Sequence, residues 1–310
     1  MNDTQVSAVV FAYHNVGVRC LSVLLAQGVD VKLVVTHDDN PEENVWFESV
    51  ESIAHKAGIP VIKPENPNSD DVIEQVKRCQ PDFLFSFYYR NMLGEALLAA
   101  PTKGAYNMHG SLLPQYRGRV PINWAIIHNE KEAGATLHKM EIKPDAGAMV
   151  DQQAVAILPN DTAQDLFVKV TCAAETVLMR AVPTLINGTA VEKMMDLEAG
   201  SYFGGRKPED GRIDWQQDAQ SIHNLIRAVA PPYPGAFFDV QDRRLVILGS
   251  YFTGQAAKSG SPVLYYERGD LYADCVGGQR FLISRIMLDG NELTESEFIA
   301  FFGERLALNI

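Results

Sequence analysis

Residues 6–37 read VSAVVFAYHNVGVRCLSVLLAQGVDVKLVVTH. The apolar runs at 6–13 and 31–37 have the length of buried strands. Between them His14–Gly17 reads as a turn, and the amphipathic spacing from Val18 to Ala26 predicts a helix. A strand, a helix and a second strand in this order predict a parallel pair joined by a right-handed crossover. The unit then repeats. After a turn at Asn40 and Pro41, the spacing of Trp46, Phe47, Val50, Ile53 and Ala54 predicts a helical face. GIPVIKP (58–64) is a short strand, NSDDVIEQVKRCQ (68–80) a helix capped near Ser69, and PDFLFSFYY (81–89) a fourth apolar run. This alternation predicts an α/β domain on a mainly parallel, twisted sheet, with ligands beyond the carboxyl ends of the strands.

Further along, Gly104–Asn107 continues the sheet and leads into NMHGSLLPQYRGRVPINW (107–124). The polar and turn residues here exceed what a plain core segment carries. Asn107 and His109 are two apart at a strand end, so period-two geometry places both side chains on one face, where one can bind an oxygen and the other move a proton. Gly110 offers close approach to another molecule. Asp145, between Pro144 and Gly147, is the candidate carboxylate to favour the charged histidine. A helix is expected from Pro121, a hairpin over 134–157 around the turn Lys143–Gly147, and a long helix over 162–186 with Asp161 as its cap. Past about residue 200 only one clear helix, 218–229, remains among short alternating runs, the pattern of a small barrel or sandwich. A domain boundary is therefore expected near 203, dividing the chain into 1–203 and 204–310.

Composition narrows the function. The 310 residues are 46% hydrophobic and 21% charged, and no apolar run reaches the roughly 18 residues of a membrane span. The N-terminus lacks the basic region of a secretory signal, so a cytoplasmic location is expected. Cys20, Cys79, Cys172 and Cys275 are widely spaced, which indicates neither a zinc site nor a disulfide framework. A net charge of -12 argues against a generic polyanion binder. GxGxxG and GxxxxGK[ST] are both missing, so neither a dinucleotide site nor a P-loop is expected. Ser111 has no GxSxG setting for a hydrolase. His14 either lines the site or is a solvated turn residue; His55, His128 and His223 read as surface or satisfied core groups; the His37–Asp38 pair reads as a loop. Tyr88, Tyr89 and Arg90 present planar faces suited either to a flat ligand or to core packing.

The string NMHGSLLPQYRGRVP with the downstream KPDAGAMV resembles the signature of the N10-formyltetrahydrofolate-dependent formyltransferases. FAYHNVG, THDDNPEE, FSFYYRNML, RGRVPINW, FGGRKPEDGRIDW and RAVAPPYPGAF are similar to the branch that formylates UDP-4-amino-4-deoxy-L-arabinose in lipid A modification and polymyxin resistance. The resemblance spans about 6–240. It implies a Rossmann-like formyltransferase domain followed by a smaller OB-like β-barrel domain. It also implies His109 as acid/base, Asn107 as the residue steadying the oxyanion, and Asp145 as the group that raises the histidine pKa. The folate donor is implied to lie against Asn91, Met92, Leu93, Arg119, and Glu141, Ile142, Lys143, Pro144 and Asp145. Asn91 and Met92 differ from the residues of the branch, and Pro144 stiffens the loop. No metal is implied. The oxidative decarboxylation that accompanies this activity in a bifunctional relative is expected from a separate polypeptide.

Two other acceptors share this chemistry: initiator tRNA, as in methionyl-tRNA formyltransferase, and another nucleotide-linked amino sugar. Residues 201–310 carry 11 Lys and Arg against 14 Asp and Glu, an acidic balance unsuited to an acceptor stem. A folate-binding protein without activity would not need Asn107, His109 and Asp145 together.

Overall fold

The computed structural model describes residues 5–40 and 45–308; Pro41 of the expected turn lies outside them. The chain forms two compact units. One runs to Pro121 and adds Ala133–Val155 and Val168–Phe203; the other comprises Ile122–Glu132, Ala156–Phe167 and the residues from Gly204 onward.

The first part of the chain contains β1 (Ser7–Ala12), α1 (His14–Ala26), β2 (Asp30–Val35), α2 (Val50–Lys56), β3 (Val61–Ile62), α3 (Asp70–Arg78), β4 (Phe83–Phe87), α4 (Glu95–Leu98) and β5 (Gly104–His109). Next come β6 (Arg117–Gly118), α5 (Pro121–Ile127), β7 (Glu132–Lys139), β8 (Met149–Ala156), α6 (Ala163–Ile186) and β9 (Tyr202–Phe203). Seven strands form one sheet in the order β3-β2-β1-β4-β5-β7-β8. The pairs from β3 to β5 are parallel, and β7 joins β5 antiparallel, with Asn107 opposite His138 and His109 opposite Thr136. The inner strands read as unbroken apolar runs because both faces are covered: all five residues of β4 are buried. By contrast α3 buries only Val72 and Val76, and its acids at the first turn and bases at the last complement the helix dipole.

Local readings shift in three places. His14–Gly17 is the first turn of α1 rather than a turn before it, since Gly17 N–H already donates to Tyr13 O. Ser69 stands at the N-cap of α3, yet its hydroxyl makes no capping bond. The cap of α6 is Thr162 rather than Asp161: Thr162 Oγ1 accepts from Asp165 N while Asp165 accepts from Thr162 N, whereas the Asp161 carboxylate accepts from Leu158 N.

After α7 (Ala219–Ala228), capped by Asp218, the chain is mostly antiparallel: β10 (Ala236–Val240), β11 (Arg243–Ala256), β12 (Val263–Glu267), β13 (Asp270–Asp274), β14 (Gln279–Leu288), β15 (Asn291–Glu292), α8 (Glu295–Phe302) and β16 (Arg305–Ala307). The strands follow the order β10-β11-β14-β13-β12-β16, with β15 on β14, and curl as a half-barrel. Ile222 and Ile226 of α7 enter a core with Leu245, Ile247, Phe281 and Phe298. His223 is a satisfied core residue, its two nitrogens 2.7 Å from Ser250 Oγ and 3.1 Å from Pro159 O. Among the described residues no helix is long and apolar enough to cross a membrane.

Leu84 is fully buried at the centre of the parallel sheet. Leu84→Ala is expected to lower unfolding stability by about 2–5 kcal/mol, the range for a buried leucine truncated in a packed core, read as a shift in urea midpoint without a change in slope.

Candidate active site

Three of the sequence-predicted residues meet at the end of β5. His109 is buried, and its Nε2 lies 2.9 Å from the carbonyl oxygen of Tyr116. A carbonyl only accepts, so Nε2 carries the hydrogen and Nδ1 faces Asp145, 3.5 Å from Oδ1. The other Asp145 oxygen accepts the backbone N–H of Gly118 at 2.8 Å. The motif thus supplies a histidine and also, through the main chain of Tyr116 and Gly118, fixes both members of the pair.

A fourth residue completes the group and was missed in the sequence. His138 of β7 is 2% exposed; its Nε2 lies 3.1 Å from Asn107 Nδ2 and 3.6 Å from Asp145 Oδ1, and its Nδ1 lies 2.8 Å from the Lys139 carbonyl oxygen. One signal pointed to it: a histidine ends the run GATLH in a strand otherwise suited to burial. Its partnership with Asn107 depends on strand register, which spacing alone does not fix.

Asp145 reaches this position because residues 140–148 double back over the sheet. β7 ends opposite the beginning of β5, with Lys139 beside Tyr106, whereas Asp145 touches His109 at the far end of that strand. Asp145 itself adopts a φ of 51°. A Cβ on Gly147 would stand 2.1 Å from Lys139 O, so only glycine lets the returning chain pass. Gly110 has a different use from the one expected: a Cβ there would stand 2.1 Å from the Tyr88 hydroxyl, so the room is taken by Tyr88. Ser111 is structural, its hydroxyl donating to Gln115 O, while Thr136 Oγ1 donates to Ser111 O and accepts from Leu113 N.

Electrostatics follow from burial. Desolvation pushes the Asp145 carboxyl upward, but the facing His109, the His138 ring and the Gly118 N–H outweigh it and hold the group at about 2. For His109 the balance goes the other way: burial sets its pKa below the ordinary 6.5, opposed by Asp145 and the Tyr116 carbonyl. The Asp145 carboxylate thus favours the charged ring, and burial outweighs it. The resting ring is a neutral base whose proton, once gained, meets a carboxylate already in place.

The remaining candidates fall on loops. Asn91, Met92 and Leu93 follow β4, where Asn68 clamps the chain by donating to Met92 O and accepting from Gly94 N. Leu93 is buried in the core and Met92 is 54% exposed. Arg119 is exposed, with its N–H on Phe203 O; Glu141, Ile142 and Lys143 are exposed and Pro144 half-buried. Of the planar groups suited either to a flat ligand or to core packing, Tyr89 stacks on His37 at 4.1 Å and the Arg90 guanidinium covers Tyr13 at 4.7 Å. His14, packed on Phe47 at 3.9 Å, is driven by burial to about 3 and stays neutral.

Residues 18–182 match the family described as formyl transferase, and residues 206–302 match the formyl transferase C-terminal domain. Among solved structures, the N-formyltransferase from Helicobacter canadensis, in complex with folinic acid and dTDP-3-aminofucose, is similar with a TM-score of 0.71 and 20% identity over 93% of this chain and 100% of its own. WlaRD, a sugar 3N-formyl transferase in the presence of dTDP and 5-N-formyl-THF, gives a TM-score of 0.67 and 20% identity over 93% and 98%. HypX from Aquifex aeolicus, in complex with tetrahydrofolic acid, gives 0.64 and 15% identity over 94% of this chain and 46% of that one. At these identities the likeness is one of fold.

The charge balance has a direct readout. In an NMR titration His109 is expected to titrate below 6.5, and lower still in Asp145→Asn, because removing the carboxylate removes the group that favours the imidazolium. A midpoint that rises in Asp145→Asn would mean the two groups do not face each other. For stability, the depressed Asp145 pKa makes the unfolded chain bind more protons between about pH 4 and 2, so the native protein loses stability as pH falls through that window. Asp145→Asn is expected to lack that part of the acid loss, measured by chemical denaturation across the window.

Proposed function

The chain belongs to the formyl transferase family, and we propose that it moves a formyl group from N10-formyltetrahydrofolate to the amino group of a nucleotide-linked sugar, in particular the 4-amino group of UDP-4-amino-4-deoxy-L-arabinose. The observation that carries the reading is the convergence of Asn107, His109 and Asp145, with His109 a buried neutral base and Asp145 its ionised partner. The solved relatives add support for the two ligand classes: the Helicobacter canadensis enzyme is in complex with folinic acid and dTDP-3-aminofucose. For the arabinose acceptor the support is the similarity of the stretches quoted above and the acidic balance of residues 201–310.

In this proposal the neutral amine attacks the formyl carbon, forming a C–N bond and a tetrahedral oxyanion. Asn107 Nδ2 supplies a hydrogen bond to that oxygen, and His109 Nε2–H supplies a second where it exchanges the Tyr116 carbonyl for the oxyanion. As the intermediate collapses, the bond from carbon to N10 breaks and the electron pair stays on N10. The proton lost by the attacking nitrogen reaches N10 by way of His109 or a water it orders, and Asp145 stabilises the imidazolium where the ring takes up the proton. The products are the formamide and tetrahydrofolate. The folate donor is held by the loop Asn91–Leu93, by Arg119 and by Glu141–Asp145. Leu93, with its side chain in the core, contributes main chain, while Met92 and Ile142 offer exposed apolar surface to a flat ring.

Purified protein with N10-formyltetrahydrofolate and, in parallel, UDP-4-amino-4-deoxy-L-arabinose, a dTDP-4-amino sugar or methionyl initiator tRNA is expected to release tetrahydrofolate with the UDP-sugar. Turnover with tRNA alone would overturn the acceptor assignment. His109→Ala is expected to lower kcat by roughly 100- to 10,000-fold while the circular dichroism spectrum is unchanged; near-normal turnover would overturn the role given to His109.

A further inference from the structure

We infer that His138 is a positioning residue that fixes which way the Asn107 amide faces. An asparagine amide has a donor end and an acceptor end of nearly equal size, and a rotation of 180° exchanges them. If Asn107 is to donate to an oxyanion, something must hold the nitrogen end in place.

The hydrogen bonds around His138 settle this in sequence. The Lys139 carbonyl oxygen, 2.8 Å from Nδ1, can only accept, so Nδ1 carries the ring hydrogen. In the neutral ring Nε2 is then a bare lone pair. The Asn107 atom that faces it at 3.1 Å is Nδ2, a donor meeting an acceptor. With the amide reversed, Oδ1 would face the same lone pair, two acceptors opposed in a site where His138 is 2% exposed and water cannot intervene. Nδ2 has two hydrogens. One is bound to His138, which leaves the other for the oxyanion, and the geometry of the first sets the direction of the second.

Backbone structure makes this arrangement stiff. Asn107 and His138 are register partners on β5 and β7, so the distance between their main chains is fixed by the sheet. His138 Nε2 lies 3.6 Å from Asp145 Oδ1, beyond hydrogen-bond reach, so its lone pair is left to Asn107.

The inference rests on the formyl-transfer reading for its effect on rate, and it has a direct test that does not. In the 15N–1H spectrum of the protein, the Asn107 side-chain amide is expected to show one proton shifted downfield and slow to exchange. That feature should vanish in His138→Leu and persist in His138→Gln, because glutamine keeps an acceptor for Asn107 and a donor for Lys139. An Asn107 amide unchanged in His138→Leu would overturn the inference, whatever the protein's activity. With an active parent, His138→Leu is expected to lower kcat roughly 100-fold, the scale of a misplaced catalytic group, with little change in KM for the folate. His138→Gln should recover most of that loss. In an Asn107→Ala background, His138→Leu should add less than about twofold, since its target is gone. Equal losses in the two backgrounds would assign His138 a general structural role and overturn the inference. A parent inactive with every acceptor would count against the proposed function alone and leave the spectroscopic test standing.

Discussion

The site depends on one antiparallel pairing at the end of an otherwise parallel run of strands. β1 to β5 all run in the same direction, so their carboxyl ends accumulate at one end of the sheet. β7 breaks the rule by running back along β5. That reversal puts His138 beside Asn107, and it ends the strand at the opposite edge, from where residues 140–148 must fold back to bring Asp145 to His109. A parallel β7 would present a different register and deliver the following loop elsewhere.

From this pairing comes an unusual density of ionisable groups in a dry place. Side-chain exposures of 9% for His109, 13% for Asp145 and 3% for His138 leave little water to solvate a charge. Asp145 tolerates burial because Gly118 N–H and two rings surround it. An isolated carboxylate there would neutralise instead. His109 in turn stays neutral until it receives a proton, at which point the nearby carboxylate offsets the desolvation that kept it neutral. Asp145 owes its ionised state in part to His109, whereas His109 owes its neutral state to burial and keeps it against the pull of Asp145.

Much of the fold was legible because it rests on period and length. The strand β4 lies within the mainly apolar run that begins after Pro81 and ends before Arg90, and α7 is an amphipathic stretch opened by an aspartate that caps it. Local chemistry was harder to read. Asp161 and Thr162 are adjacent polar residues, and which one caps α6 is decided by whether the carboxylate finds a nearer donor, which it does at Leu158. His138 stayed hidden for a different reason. Its partners are 31 residues away on β5 and seven residues ahead on a returning loop, and sequence spacing carries no record of either contact. Nor does linear order suggest that Ile122–Glu132 and Ala156–Phe167 join the residues after Gly204.

Backbone conformation around the motif carries the last step. Tyr88, Tyr116, Val120 and Asp145 all have φ between 48° and 56°, a region that side chains disfavour and that β-branched valine disfavours most. Each such residue costs about 1–3 kcal/mol and survives only where neighbours hold it. The holds are visible: Tyr116 N donates to Ser201 Oγ, Arg119 N to Phe203 O, and the Arg117 guanidinium reaches Leu197 O, so the segment 197–203 grips the motif from outside. Asp145 is gripped through its own carboxylate by Gly118 N. What the strain achieves is specific. With Tyr116 in this conformation its carbonyl takes the hydrogen of His109 Nε2, which leaves Nδ1 to Asp145 and so selects the tautomer. The conformational energy stored in the QYRGR segment is thus exchanged for a histidine with one orientation and one protonation site.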